Sequence, residues 1–214
     1  MKFFIKKVFE YANYLSEVFP RIKTILWYKQ LFRGLGNHSV VFKPLRLINP
    51  QNITIGDRVR IYKGSRIETI ESWGNTKFTP ELIVGNGTTF EQFVHIICAS
   101  RVEIGKAVVI SAGVMITDNN HEYKEINKSV MEQPLEVKDK TVIGDFCFVG
   151  MGSRIMAGAR LGNNCIVGAN SVVLGEFKDY SVIVGSPAKI IKRYDLETSK
   201  WRKTTSSGEF IDEV

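Results

Sequence analysis

Cysteine is scarce, and Cys98, Cys147 and Cys165 form no Cys-x-x-Cys pair. That excludes a disulfide framework and makes a reducing, cytoplasmic setting the expectation. Long apolar runs are missing too: none approaches the ~18 residues of a membrane span, and lysines lie inside the apolar stretch of residues 1–9 rather than ahead of it. Neither a spanning helix nor a secretory leader is expected. Acids are few at one end, where residues 1–66 hold 13 Lys and Arg against Glu10, Glu17 and Asp57, while the rest has 16 bases against 19 acids. This asymmetry fits either an anionic partner surface or a solvated basic face. No helix-turn-helix or aromatic-basic stacking pattern accompanies it, so no nucleic-acid partner is expected. With 44% apolar and 24% charged residues among 214, the chain suits one main domain with a sizeable core.

What the sequence does have is a six-residue period. Ile143, Val149, Ile155, Leu161, Val167 and Val173 fall six apart without a break. Small residues (Cys147, Ser153, Ala159, Cys165, Ser171) stand two positions before the later five, and Gly144, Gly150, Gly162 and Gly168 directly follow aliphatic positions. The same register runs through Ile55, Ile61, Ile67, then Val84, Phe90, Ile96, then Ile104, Ile110, Ile116. Six fits neither the 3.6 of a helix nor a hairpin meander; it suits short strands joined by tight turns whose inward residues stack. Three hexads make a triangular coil of 18 residues, and the count gives an all-β solenoid of about five coils over 41–187. Breaks at 70–82 and 117–140 are expected to project as loops that carry a binding face. Cys147 and Cys165, 18 apart, are expected at one inward site of successive coils, as small buried hydrophobes.

Over residues 52–193 the sequence resembles the hexapeptide-repeat acyltransferases, most of all the polysaccharide and sugar O-acetyltransferases of the maltose, galactoside and virginiamycin acetyltransferase group. The segments IGDFCFVGMGSRIMAG, LGNNCIVGANSVV and VGSPAKII carry the likeness. The resemblance implies a left-handed parallel β-helix, a homotrimer with active sites between neighbouring subunits, and acetyl-CoA as co-substrate.

The three histidines separate. His38, in NHSV, reads as an incidental surface residue. His121 opens the second break in DNNHEY, on a polar loop suited to taking a proton from an incoming hydroxyl or amine; the resemblance makes it the general base. His95 precedes the inward Ile96, so alternation turns it outward, where it is expected to help hold the acceptor with Asp118, Asn119 and Phe148. Phe148 and Met151 replace the tryptophan and the small residue of many relatives, leaving a flat apolar wall and a backbone N–H. For the coenzyme, the resemblance points to Gly150, Met151, Gly168 and Ala169 along the pantetheine arm and to Lys189, Lys192 and Arg193 at the phosphates. The histidine spacing lacks the close pair of a metal-binding solenoid, and no metal is expected.

Residues 1–40 are expected to form N-terminal amphipathic helices, the first with Phe4, Val8, Tyr11, Leu15 and Val18 at helical spacing and ended by Pro20. They either cap the first coil or bring residues 1–33 to a membrane surface, peripherally at its inner face. Residues 188–214 are expected to form a short C-terminal helix and tail. Two function classes follow. One is an acetyl-CoA-dependent O-acetyltransferase acting on a sugar hydroxyl in glycan or surface polysaccharide biosynthesis, with N-acetylation of an amino sugar as the near variant. The other is a noncatalytic solenoid docked on a membrane.

Overall fold

A computed structural model describes residues 1–211. Short strands visit three parallel sheets in rotation, so that strands adjacent in one sheet belong to successive circuits of the chain. The hexad residues form the inward columns. One sheet aligns Leu35, Ile55, Val84, Ile104, Ile143, Leu161 and Phe177; the second aligns Val41, Ile61, Phe90, Ile110, Val149, Val167 and Ile183; the third aligns Leu47, Ile67, Ile96, Ile116, Ile155 and Val173. Nearly all are buried in one cluster that fills the space between the sheets.

The glycines that follow the inward residues are fixed by spacing. Parallel strands lie about 4.8 Å apart, and a Cβ on Gly144 would stand 2.6 Å from the carbonyl carbon of Gly162; at Gly105 it would stand 2.7 Å from that of Gly144. Polar corner residues, three of them directly after a glycine, tie the corners together. Asn86 Oδ1 accepts the Asp57 N–H at 2.8 Å, Asp145 Oδ1 the Lys106 N–H at 2.9 Å, Asn163 Oδ1 the Asp145 N–H at 2.8 Å and Asp179 Oδ1 the Asn163 N–H at 2.8 Å. The small inward residues bond across rows as well: Ser153 Oγ donates to Gly168 O and accepts from the Ser171 N–H. Cys147 and Cys165 are buried as expected, with Sγ contacts to the carbonyls of Gly162 and Lys178.

Three expectations are corrected. The helical region, expected to run to residue 40, ends earlier, and Gly34–Leu35, Val40–Val41 and Arg46–Ile48 supply one strand to each sheet, so the sheets hold seven, seven and six parallel strands rather than about five. Among the described residues, 188–211 form no helix. Ala188–Asp195 instead folds antiparallel onto Ser181–Gly185, and Lys200–Lys203 folds onto it, because the last row leaves an open edge whose N–H and C=O groups need partners. Pro20 does not end the N-terminal helix: Lys2–Lys23 is continuous and passes through a π-type turn, Thr24–Tyr28, into Lys29–Leu31. Thr24 holds this passage, its Oγ1 donating to Pro20 O at 2.6 Å and accepting the Val41 N–H at 2.9 Å, which covers the edge of the second sheet.

Gly144→Ala is therefore expected to lower the urea unfolding free energy by about 1–3 kcal/mol, since the new methyl meets backbone. Gly34→Ala, whose Cβ meets only Thr54 Cγ2 at 3.5 Å, should stay within about 1 kcal/mol of wild type.

Candidate active site

Both breaks in the hexad pattern leave the same sheet. Arg66–Thr69 and Met115–Thr117 pair with the two sides of His95–Cys98, so the segments that follow them emerge as neighbours. The first break folds as the hairpin Ser72–Trp73 with Thr76–Lys77, the second as Asn119–His121 with Leu135–Val137. Between them lies a cleft of ≈ 530 Å³ lined by Asn49, Arg66, Glu68, Trp73, Asn119, His121 and Leu135, among others.

His121 is exposed at the mouth of this cleft, directly opposite Leu135 in the hairpin register. The Trp73 ring packs edge-on against its imidazole, with centroids 5.0 Å apart at 65°. Trp73 is itself fixed by donating its indole N–H to Gln133 O at 2.9 Å. The buried Gln133 side chain bonds the outer loop through the Glu125 N–H and the carbonyls of Glu125 and Lys128. Among the described residues, neither ring nitrogen of His121 has a hydrogen-bond partner, so the imidazole keeps a lone pair for an incoming proton.

Asp118 is fully buried. Its oxygens accept the N–H groups of Ala99 and Ser100 and the Asn119 side-chain amide at 2.8–3.1 Å. The expectation that Asp118 contacts the acceptor is corrected accordingly: its carboxylate anchors the base of the His121 hairpin to the preceding row. Asn119 reaches the cleft wall with its backbone tied to Thr117 Oγ1. Burial, reinforced by the Asp118 charge, holds the Cys98 thiol well above its ordinary range, so it stays protonated.

The floor is charged. Glu68 accepts from Arg66 Nε at 2.6 Å and Nη2 at 2.9 Å and pairs with Arg46 Nε at 2.6 Å. The Arg66 hydrogen bonds hold its carboxyl below the usual range. His95 stands in the same outward row, in register with Arg66 and Met115. Burial, with the Arg66 charge, depresses its pKa, against an opposing pull from Glu68, and its Nε2 is buried without a partner. His95 thus stands next to the cleft as a neutral imidazole.

The predicted coenzyme residues form a separate place. Gly150, Met151, Gly168 and Ala169 share one corner of two successive rows: a Cβ on Gly150 would lie 2.6 Å from Ala169 N, and the Asn170 N–H donates to Met151 O at 2.8 Å. Lys189 and Lys192 are exposed on the antiparallel extension, whereas Arg193 turns to the tail, with Nη1 on Gly208 O at 3.4 Å and its guanidinium over the Phe210 ring. Phe148 lies on the outer face of the second sheet, level with Val109 and Ile166, and does not line the His121 cleft. The cleft's aromatic wall is Trp73, which sequence reading missed along with Arg66 and Glu68; the available signal was a tryptophan inside a break next to a histidine-bearing break. Among the described residues no cluster of His, Cys, Asp or Glu is arranged to hold a metal ion.

Two outcomes follow. Asp118→Ala should cost about 1–3 kcal/mol, because two buried N–H groups lose their acceptor. Because the folded-state pKa of His95 is depressed, the unfolded chain takes up its proton first. Stability should therefore fall as pH drops below the ordinary value of 6.5, and His95→Gln should flatten that part of a urea-midpoint-against-pH curve.

The profile of the family described as bacterial transferase hexapeptide (six repeats) matches residues 140–175. A putative lipopolysaccharide biosynthesis O-acetyl transferase of Escherichia coli K12, WbbJ, is 31% identical over 78% of this chain and 85% of its own length. A probable acetyltransferase of Mycobacterium tuberculosis, Rv3034c, is 28% identical over 67% of this chain, which spans only 45% of that longer protein. Among solved structures, the N-acyltransferase AntD of Bacillus cereus, in complex with dTDP and 3-hydroxybutyryl-CoA, superposes with a TM-score of 0.66 at 18% identity over 80% of this chain and 88% of its own. The hexapeptide-repeat acetyltransferase VCA0836 of Vibrio cholerae gives 0.55 at 20% identity over 88% and 92%. The six-residue columns thus coincide with a known transferase repeat, and the likeness to WbbJ extends through both breaks, so this chain belongs to the hexapeptide-repeat acyltransferase family.

Proposed function

We propose that the protein is an acetyl-CoA-dependent O-acetyltransferase that modifies a sugar hydroxyl in glycan or surface polysaccharide assembly. The observation that carries the reading is the cleft between the two hairpins, where His121 presents an unpartnered imidazole beside Trp73 and above a floor of Arg66, Glu68 and Asn119. A sugar ring suits such a site, with an apolar face for the indole and hydroxyls for the charged and amide groups.

In this reading His121 removes the proton of the acceptor hydroxyl as its oxygen attacks the thioester carbonyl. The C–S bond then breaks, and the leaving thiolate takes up the proton that the imidazolium returns. The backbone N–H of Met151 meets the carbonyl oxygen as it gains charge. Gly150, Gly168 and Ala169 leave room for the pantetheine arm, and Lys189, Lys192 and Arg193 serve the phosphates. His95 and Asn119 position the acceptor, while Asp118 acts at one remove by fixing the hairpin.

The His121 cleft and the Gly150 corner do not share one pocket within a single chain, and the reading joins them across subunits: a left-handed β-helix, packed as a homotrimer, sets one copy's corner and Phe148 against its neighbour's cleft. The reading also includes a cytoplasmic location and peripheral contact of residues 1–33 with a membrane. No helix among the described residues is long and apolar enough to cross one.

The test is thiol release from acetyl-CoA over a panel of sugars, nucleotide sugars and oligosaccharides, in which amino sugars separate N- from O-transfer. His121→Ala should lower turnover roughly 10²- to 10⁴-fold while coenzyme A affinity, measured by calorimetry, is unchanged. Full turnover without His121 would end the mechanism. Light scattering should give three times 24.2 kDa; a monomer mass would remove the shared site.

A further inference from the structure

The helix Lys2–Lys23 contributes no buried residue to the molecule. At 3.6 residues per turn, Phe4, Val8, Tyr11, Leu15, Phe19 and Ile22 fall within about 80° of one another, and Glu17 lies about 160° from the centre of that stripe. Glu17 is bonded to Arg60 of the second sheet at 2.7 Å, so the polar side is held toward the body and the apolar side is turned away from it. Leu15 is half-buried, but the rest of the stripe is bare: Phe4 is 70% exposed, Val8 52% and Phe19 62%, and Ile25, Leu26 and Trp27 extend it past the end of the helix.

Two features say what covers it. Residues 1–33 carry seven Lys and Arg against Glu10 and Glu17, and Glu10 is itself paired with Lys6. Two copies of so basic a segment repel each other, which disfavours a second chain as the occupant and favours an anionic one. In addition, a pocket of ≈ 420 Å³ opens where the helical segment meets the first row, lined by Arg21 and Lys29 from the helical side and by Asn37, His38 and Ser39 from the strand side. Neither Arg21 nor Lys29 forms an ion pair among the described residues.

We propose that residues 1–33 dock on an anionic phospholipid bilayer, with the Phe4–Ile22 stripe in the interface and a lipid headgroup phosphate in the pocket of Arg21, Lys29 and His38. This rests on the membrane contact included above and adds the lipid class and the residues that recognise it. An apolar stripe with flanking bases and interfacial Trp27 and Tyr11 is the pattern of a helix lying in the interface plane. The bases act on the surface potential within a Debye length of about 8 Å.

The experiment is sedimentation of the full chain with vesicles of phosphatidylcholine alone or with 30 mole per cent phosphatidylglycerol (~0.15 M salt). Wild type should pellet with the anionic vesicles and stay in solution with the zwitterionic ones. Val8→Glu with Phe19→Glu, on exposed positions, should reduce binding at least tenfold with an unchanged circular dichroism spectrum. Arg21→Ala with Lys29→Ala should reduce it about 25-fold, each cation being worth about fivefold near such a surface. Lys178→Ala with Lys203→Ala, the same charge removed elsewhere, should change it less than threefold.

Equal binding to both vesicle types would keep the membrane contact and overturn the headgroup recognition; binding to neither would overturn both. Loss of oligomer mass in Val8→Glu with Phe19→Glu would show that a second copy covers the stripe, and would also overturn the proposal. Thiol release with a soluble acceptor, unchanged in these variants, keeps a failed docking distinguishable from a failed enzyme.

Discussion

The rest of the structure depends on the distance between successive parallel strands, about 4.8 Å. At that spacing the backbone of one row occupies the place where a Cβ of the row before would stand, as at Gly105, Gly144 and Gly162. A side chain is excluded at those corners, and the next residue is drawn into the cross-row hydrogen bonds of Asn86, Asp145, Asn163 and Asp179. The same spacing brings like residues above one another inside, so that aliphatic columns six residues apart in sequence become continuous contacts. Each row alone buries almost nothing, and the core is a property of the stack.

The candidate site is a consequence of where this regularity stops. Both interruptions leave one sheet from strands flanking His95–Cys98, which is why Trp73 and His121 meet. The second interruption is held at its root by a buried carboxylate that would be costly without partners; Asp118 has three N–H donors. The His121 imidazole itself has no hydrogen bond among the described residues, while the residues around it are tied down.

Charge divides the molecule along the same axis as its construction. The basic end carries a helix that adds nothing to the core and turns its apolar side outward, while the far end closes with an antiparallel extension that satisfies the last open edge. There the Arg202 hydrogen bond holds the Asp195 carboxyl down to about 2. The two ends meet the same requirement, covering exposed strand edges, by different means: Thr24 at one and a hairpin at the other.

The sequence by itself determined the stack. A strict period of six, with glycine after the aliphatic residue, admits few other packings, and Leu35, Val41 and Leu47 show that the first row was legible in the same period although its start was read as part of the helical region. The Gly150 corner was legible because its place in the repeat fixes its direction, and His121 because it stands where the repeat breaks. Only the tertiary structure decided that the two breaks fold as hairpins side by side, that Trp73 rather than Phe148 lines the cleft, that Asp118 is a buried anchor, and that residues 188–203 close the edge as strands. These outcomes depend on contacts between segments far apart in the chain and on unpaired backbone groups at an edge, and neither leaves a periodic trace in the residues that satisfy it.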